Sequence, residues 1–102
     1  MIHVIATIDL HPGRRDAFLA EFRRLVPLVL AEEGCLDYGP TVDVPTGLSA
    51  QGPIRPDAVT VVERWSSLDH LRQHLVAPHM GAYRASVKDL VVGTTLVVLE
   101  PA

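Results

Sequence analysis

The strongest constraint on this chain is the way its hydrophobic period changes along its length. From Ile2 to Leu10 the residues alternate, with Ile2, Val4, Ala6, Ile8 and Leu10 on one face and His3, Ile5, Thr7 and Asp9 on the other, as in a β-strand. His11-Pro12-Gly13 ends that pattern, and from about Arg14 the residues Phe18, Phe22, Leu25 and Val29 recur at helical spacing, broadened by Leu19, Val26 and Leu30. The helix is expected to reach about Glu33, with Gly34 as its stop signal. A kink or break is expected at Pro27, which lacks an amide donor and crowds the carbonyl of Arg23.

Cys35 to Val44 reads as a second strand, with Leu36 and Tyr38 on one face and a bulge or sheet edge at Gly39-Pro40. Ala58 to Trp65 reads as a third, with Val59, Val61, Glu63 and Trp65 sharing a face. Ser66 or Ser67 caps a short helix that Pro78 ends, a second helical stretch covers about His79 to Leu90, and Val91 to Glu100 is a final strand. The order β-α-β-β-α-β predicts an α+β protein, a ferredoxin-like antiparallel sheet backed by helices on one side, in a single domain over residues 1–102.

One property of that sheet is unusual. The free face of a one-sided antiparallel sheet should be polar, yet the first, third and fourth strands carry apolar residues on both faces. A second copy packed sheet to sheet would cover the surplus, so a homodimer is expected. With 102 residues and 11.1 kDa there is no room for a separate cofactor-binding domain. A net charge of −3, without a basic cluster, argues against nucleic acid as a partner. No apolar run is long enough to span a membrane, and the N-terminus lacks a basic region before an apolar stretch, so a cytoplasmic protein is expected. The lone Cys35 fits a reducing compartment and reads as a small buried hydrophobe. Residues 45–57, rich in proline and glycine, form a long loop expected to be mobile and easily nicked.

Three segments, the first strand with HPGRRDAFLAEF, EEGCLDY at 32–38 and VVERWSSLDHLRQHLVAPHMGAY at 61–83, closely resemble the antibiotic biosynthesis monooxygenase family, including its small bacterial quinol monooxygenases. The resemblance implies a dimeric α+β barrel with a pocket between each sheet and its helices. It also implies oxidation of a small hydroquinone, phenol or anthrone by O2 with neither metal nor flavin as cofactor. Haem-degrading relatives carry an asparagine in the first strand, where this chain has Ala6-Thr7, and a ligating histidine near Tyr83-Arg84; both are missing.

Matched position by position, the resemblance points to Trp65, His74, His79 and Tyr38. His74 is the first choice for a general base, since imidazole takes a phenolic proton near neutral pH without a large shift, and His79 is the second. Tyr83, one helical turn after His79, is a candidate hydrogen-bond donor, while Trp65 and Tyr38 read as pocket walls. Glu63 shares a face with apolar neighbours and so needs a partner such as an arginine. The alternative roles are structural: helix-terminal histidines, and a dimeric domain that binds a small apolar ligand or another protein without catalysis. His70 and His74 at i and i+4 with Glu63 offer a poor metal set, and no metal is expected.

Overall fold

A computed structural model describes residues 1–102. Its elements are β1 (Ile2–Leu10), α1 (Arg15–Leu30), β2 (Cys35–Thr41), β3 (Ala58–Trp65), α2 (Leu68–Leu75), α3 (Pro78–Val87) and β4 (Val91–Leu99). The strands form one antiparallel sheet in the order β2-β3-β1-β4. This is the α+β, ferredoxin-like arrangement that the periodicity predicts.

β1 and β3 alternate as expected. Val4, Ala6, Ile8 and Leu10 are buried beside Val59, Val61, Glu63 and Trp65, and the register pairs Val4 with Glu63 and Ala6 with Val61. The Phe18, Phe22, Leu25 and Val29 stripe of α1 closes over this face. Phe22 stacks on Tyr38 at 5.5 Å between ring centroids and meets Tyr83 edge-on at 5.6 Å, geometries that add to the burial of the rings themselves.

Two local expectations need correction. α1 runs through Pro27 without a break, because Pro27 and Arg23 both lie on the exposed side, where water can take the carbonyl that the missing donor leaves free. The bulge in β2 falls between Cys35 and Asp37 rather than at Gly39-Pro40. It puts Leu36 in solvent while Tyr38 is buried opposite Glu63, so these two residues do not share a face. β2 is an edge strand, which accommodates Pro40.

The helix also ends earlier than Gly34. Its last residue is Leu30, and a turn over 31–34 leads into β2 through Gly34 at φ +80°. A Cβ at Gly34 would run into the imidazole of His70, and the Gly34 carbonyl accepts from the Ser66 amide at 2.8 Å. The turn is therefore locked against the start of α2, where the Ser67 hydroxyl caps the helix through the His70 amide.

The long loop is tied at its base. Arg55 makes a bidentate pair with Asp43, at 2.7 and 2.9 Å, which holds the Asp43 carboxyl down at about 2. None of residues 45–57 lines the cavity described below. On the opposite side of the sheet, Val97 and Leu99 of β4 and Val62 of β3 are exposed, and on the helix side the edge residues Leu96 and Val98 of β4 are exposed as well.

Gly34→Ala should lose about 2 kcal/mol or more of stability, combining the left-handed backbone penalty with displacement of His70. Urea unfolding followed by circular dichroism would measure the loss. An unchanged midpoint would show that the turn is not held as described.

Candidate active site

The residues that carry chemistry converge between the sheet and the helices. A cavity of about 350 Å3 is floored by Ala6, Ile8, Val61 and Glu63 and bounded along β4 by Thr94 and Leu96. Its roof comes from Phe22, Tyr38, His74, Leu75, Met80, Tyr83 and Arg84. The lining is largely apolar with a few convergent polar groups, the usual make-up of a small-molecule site.

His74 is 1% exposed and projects from the last turn of α2. Its Nδ1 lies 2.8 Å from Glu32 Oε2, and the Nε2 of His79, at the start of α3, lies 2.8 Å from the same oxygen. A carboxylate oxygen accepts, so both nitrogens donate, and neutral His74 is left with its lone pair on Nε2. No buried side-chain nitrogen or oxygen lacks a partner, and Nε2 has none, so it opens on the cavity that His74 lines. Desolvation pulls the His74 pKa below its ordinary value, against the opposing pull of Glu32, which keeps the imidazole neutral and able to accept. Trp65 stands behind it, 4.6 Å between ring centroids.

Glu63 is 5% exposed. Its partner is the indole of Trp65, which donates from Nε1 to Oε1 at 3.0 Å, and not an arginine as the sequence suggested. Burial pushes the carboxyl up to about 7 despite that bond, with a further push from the Glu32 charge. Burial also raises the phenols of Tyr38 and Tyr83 far above their ordinary range, so both remain hydrogen-bond donors at any physiological pH.

The candidate residues thus divide. His74, Tyr38, Tyr83 and Glu63 meet around one cavity, while Trp65 lies behind it as a buttress and not as a wall. His79 lines a separate surface groove of about 240 Å3 with Glu21, Arg24 and Leu28, and reaches the site only through Glu32. Neither histidine caps helix carbonyls. Glu32 was missed: nothing local in EEGCLDY distinguishes it, and its partners lie 42 and 47 residues away. Cys35 is half-buried with its thiol pushed up to about 11 by burial, so it is no nucleophile at neutral pH.

The metal set imagined from His70, His74 and Glu63 does not assemble, because the His70 ring bonds the Ser67 hydroxyl at 2.7 Å. Glu32, His74 and His79 do bring their donor atoms within 4.8 Å of one another. Both nitrogens nevertheless sit 2.8 Å from one oxygen, the length of an N–H···O bond. Donors around a tetrahedral zinc, with bonds of about 2.0 Å, stand roughly 3.3 Å apart. The cluster is a hydrogen-bonded bridge.

This fold is that of a monooxygenase family. Residues 1–86 match the antibiotic biosynthesis monooxygenase family, and the chain belongs to it. Over 99% of its length the chain is 44% identical to the "Probable quinol monooxygenase YgiN" of Escherichia coli K12, covering 98% of that protein. Among solved structures it is similar to Rv0793 of Mycobacterium tuberculosis, with a TM-score of 0.77 and 29% identity over 99% of this chain and 94% of that one. PA3566 of Pseudomonas aeruginosa superposes with a TM-score of 0.80 at 25% identity, over 99% of this chain and 93% of that one.

The buried carboxyl of Glu63 carries a stability signature. A folded-state pKa raised from 4.5 to about 7 means the fold holds that proton more tightly than the unfolded chain, so stability is fullest below pH 4.5 and falls as pH rises towards 7. Glu63→Gln should therefore be more stable than the unaltered protein at about pH 8, by about 3 kcal/mol at 1.36 per pKa unit. The gain should vanish in acid. Thermal unfolding of both proteins across pH would test it, and a gain independent of pH would place the cause elsewhere.

Proposed function

We propose that this protein is a cofactor-independent monooxygenase that oxidises a small aromatic hydroquinone, phenol or anthrone-like molecule with O2, acting in the cytoplasm as a homodimer. The observation that carries this reading is the Glu32–His74 pair, a buried imidazole held by a carboxylate with its free Nε2 on an apolar cavity. The relative named as a quinol monooxygenase supports the substrate class.

The chemistry asks little else of a protein. A phenol bound with its hydroxyl against His74 Nε2 gives up its proton, and the imidazolium that results is stabilised by Glu32 on the other side of the ring. The phenolate is electron-rich enough to give an electron to O2 itself, after which the two radicals combine at a ring carbon. Tyr38 and Tyr83 line the same cavity and would donate hydrogen bonds to the substrate oxygens, while Phe22, Leu75, Met80 and Val61 would hold its ring and keep water from it. His79 shares Glu32 with His74 and so acts as a positioning residue.

His74→Ala should lower turnover of a true hydroquinone about a hundredfold or more, the usual scale for losing a general base, and Glu32→Gln at least about tenfold. Oxygen uptake, corrected for uncatalysed autoxidation, measures both, and chelator-treated protein should keep its rate. Because the rate needs neutral His74, kcat/KM should fall only as pH drops below the ordinary histidine value of 6.5, and the limb should disappear in His74→Ala. An unaltered rate in His74→Ala would remove the imidazole from the reaction.

The homodimer rests on the apolar outer side of the sheet, where Val62, Val97 and Leu99 lie exposed. Light scattering during size exclusion should give about twice 11.1 kDa at micromolar concentration. A folded monomer would refute the face-to-face barrel.

A further inference from the structure

Glu63 is chemically out of keeping with its surroundings. Its register neighbours are Val4 on β1 and Tyr38 on β2, it lies 5% exposed on the core face of the sheet, and an aliphatic side chain would fit there at no electrostatic cost. One carboxylate oxygen is fixed by the Trp65 indole. The other has no protein partner, yet no buried side-chain oxygen lacks one, so it opens on the cavity that Glu63 floors beneath His74, Tyr38 and Tyr83. Trp65 touches both walls, donating to Glu63 and lying against the His74 ring, and so holds two proton acceptors about the same space.

Oxygenation of a hydroquinone needs two acceptors. His74 takes the first proton, from a hydroxyl. Once O2 has added to the ring carbon next to the resulting carbonyl, that carbon carries both a hydrogen and a peroxide, and the hydrogen must still leave. We propose that Glu63 is a second catalytic base, which removes the proton from the ring carbon that bears the peroxide. The peroxide first takes back the proton held on His74; the electron pair of the C–H bond then becomes the new carbonyl, the O–O bond breaks, and the departing hydroxide takes the proton from the Glu63 carboxyl to leave as water. Both bases are thereby returned to their starting states. One hydroquinone and one O2 give one hydroxyquinone and one water.

This inference rests on the monooxygenase reading, and it adds a branch point that the first base does not control. If the C–H proton is not removed, the remaining hydroxyl of the same intermediate loses its proton, and hydrogen peroxide is expelled. The products are then the simple quinone and H2O2. Glu63 therefore decides between oxygenation and plain oxidation.

The test is product partition in Glu63→Gln, which keeps an oxygen for the Trp65 indole. With a simple hydroquinone, the ratio of H2O2 to hydroxyquinone should rise by about a hundredfold or more, the lower range for loss of a positioned proton acceptor, while O2 uptake falls far less. His74→Ala should instead depress O2 uptake itself. In the unaltered protein, deuterium on the ring carbons should shift the products towards H2O2, a result that needs no variant to fold. An unchanged ratio in Glu63→Gln, or a partition indifferent to deuterium, would overturn the role of Glu63 and leave the monooxygenase reading intact. No O2 uptake by the unaltered protein with any hydroquinone would overturn both.

Discussion

One oxygen atom holds the roof of this molecule in place. Glu32 Oε2 accepts from His74 on α2 and from His79 on α3, while Glu32 itself stands in the turn that ends α1. Three helices are thereby referred to a single point, and the turn is fixed in its own right by Gly34 packed under His70. The position of the cavity's imidazole follows from this arrangement. Without the carboxylate the His74 ring could present either nitrogen; with it, Nδ1 is committed and Nε2 faces the void. Trp65 closes the back of the ring, so the imidazole is held through a hydrogen bond on its edge and an aromatic surface on its face.

The parts of the fold that were legible in the sequence are those set by local pattern. Strict alternation in β1 and β3 settles which residues share a face, and parity alone groups Glu63 with Val59, Val61 and Trp65 on the face that the structure buries. A cap at Ser66 or Ser67 is legible for the same reason, and Ser67 is the one whose hydroxyl serves an amide only three residues on. The errors share another origin. Whether Pro27 breaks α1 depends on which side of the helix meets water, and where β2 bulges depends on its fit against β3. Neither is a property of the residues alone.

The site divides along the same line. His74 and Tyr38 stand out by family likeness and Tyr83 by its spacing from His79, and the three do meet at the cavity. Glu32 does not stand out, because a glutamate in a polar turn reads as solvated until two histidines more than forty residues away are brought to it. For Glu63 the need for a partner was legible but its identity was not. The indole two residues on is reached within the strand, as both side chains share its buried face.

The charge balance of the cavity explains why these groups belong together. A phenolate in an apolar space is stabilised only if its proton stays close, and in the proposed reaction His74 would keep that proton within the site as an imidazolium against Glu32. Tyr38 and Tyr83, their phenols locked in the protonated form by burial, can donate to the anion but cannot take its place. Glu63 can lie in the same space without forbidding a second negative charge because burial holds its carboxyl near 7, so that it takes up or releases a proton at little cost in either direction. The same burial makes the carboxylate a liability for folding. A residue kept where an aliphatic side chain would be more stable is the pattern expected when a site is shaped by its chemistry at the expense of the core.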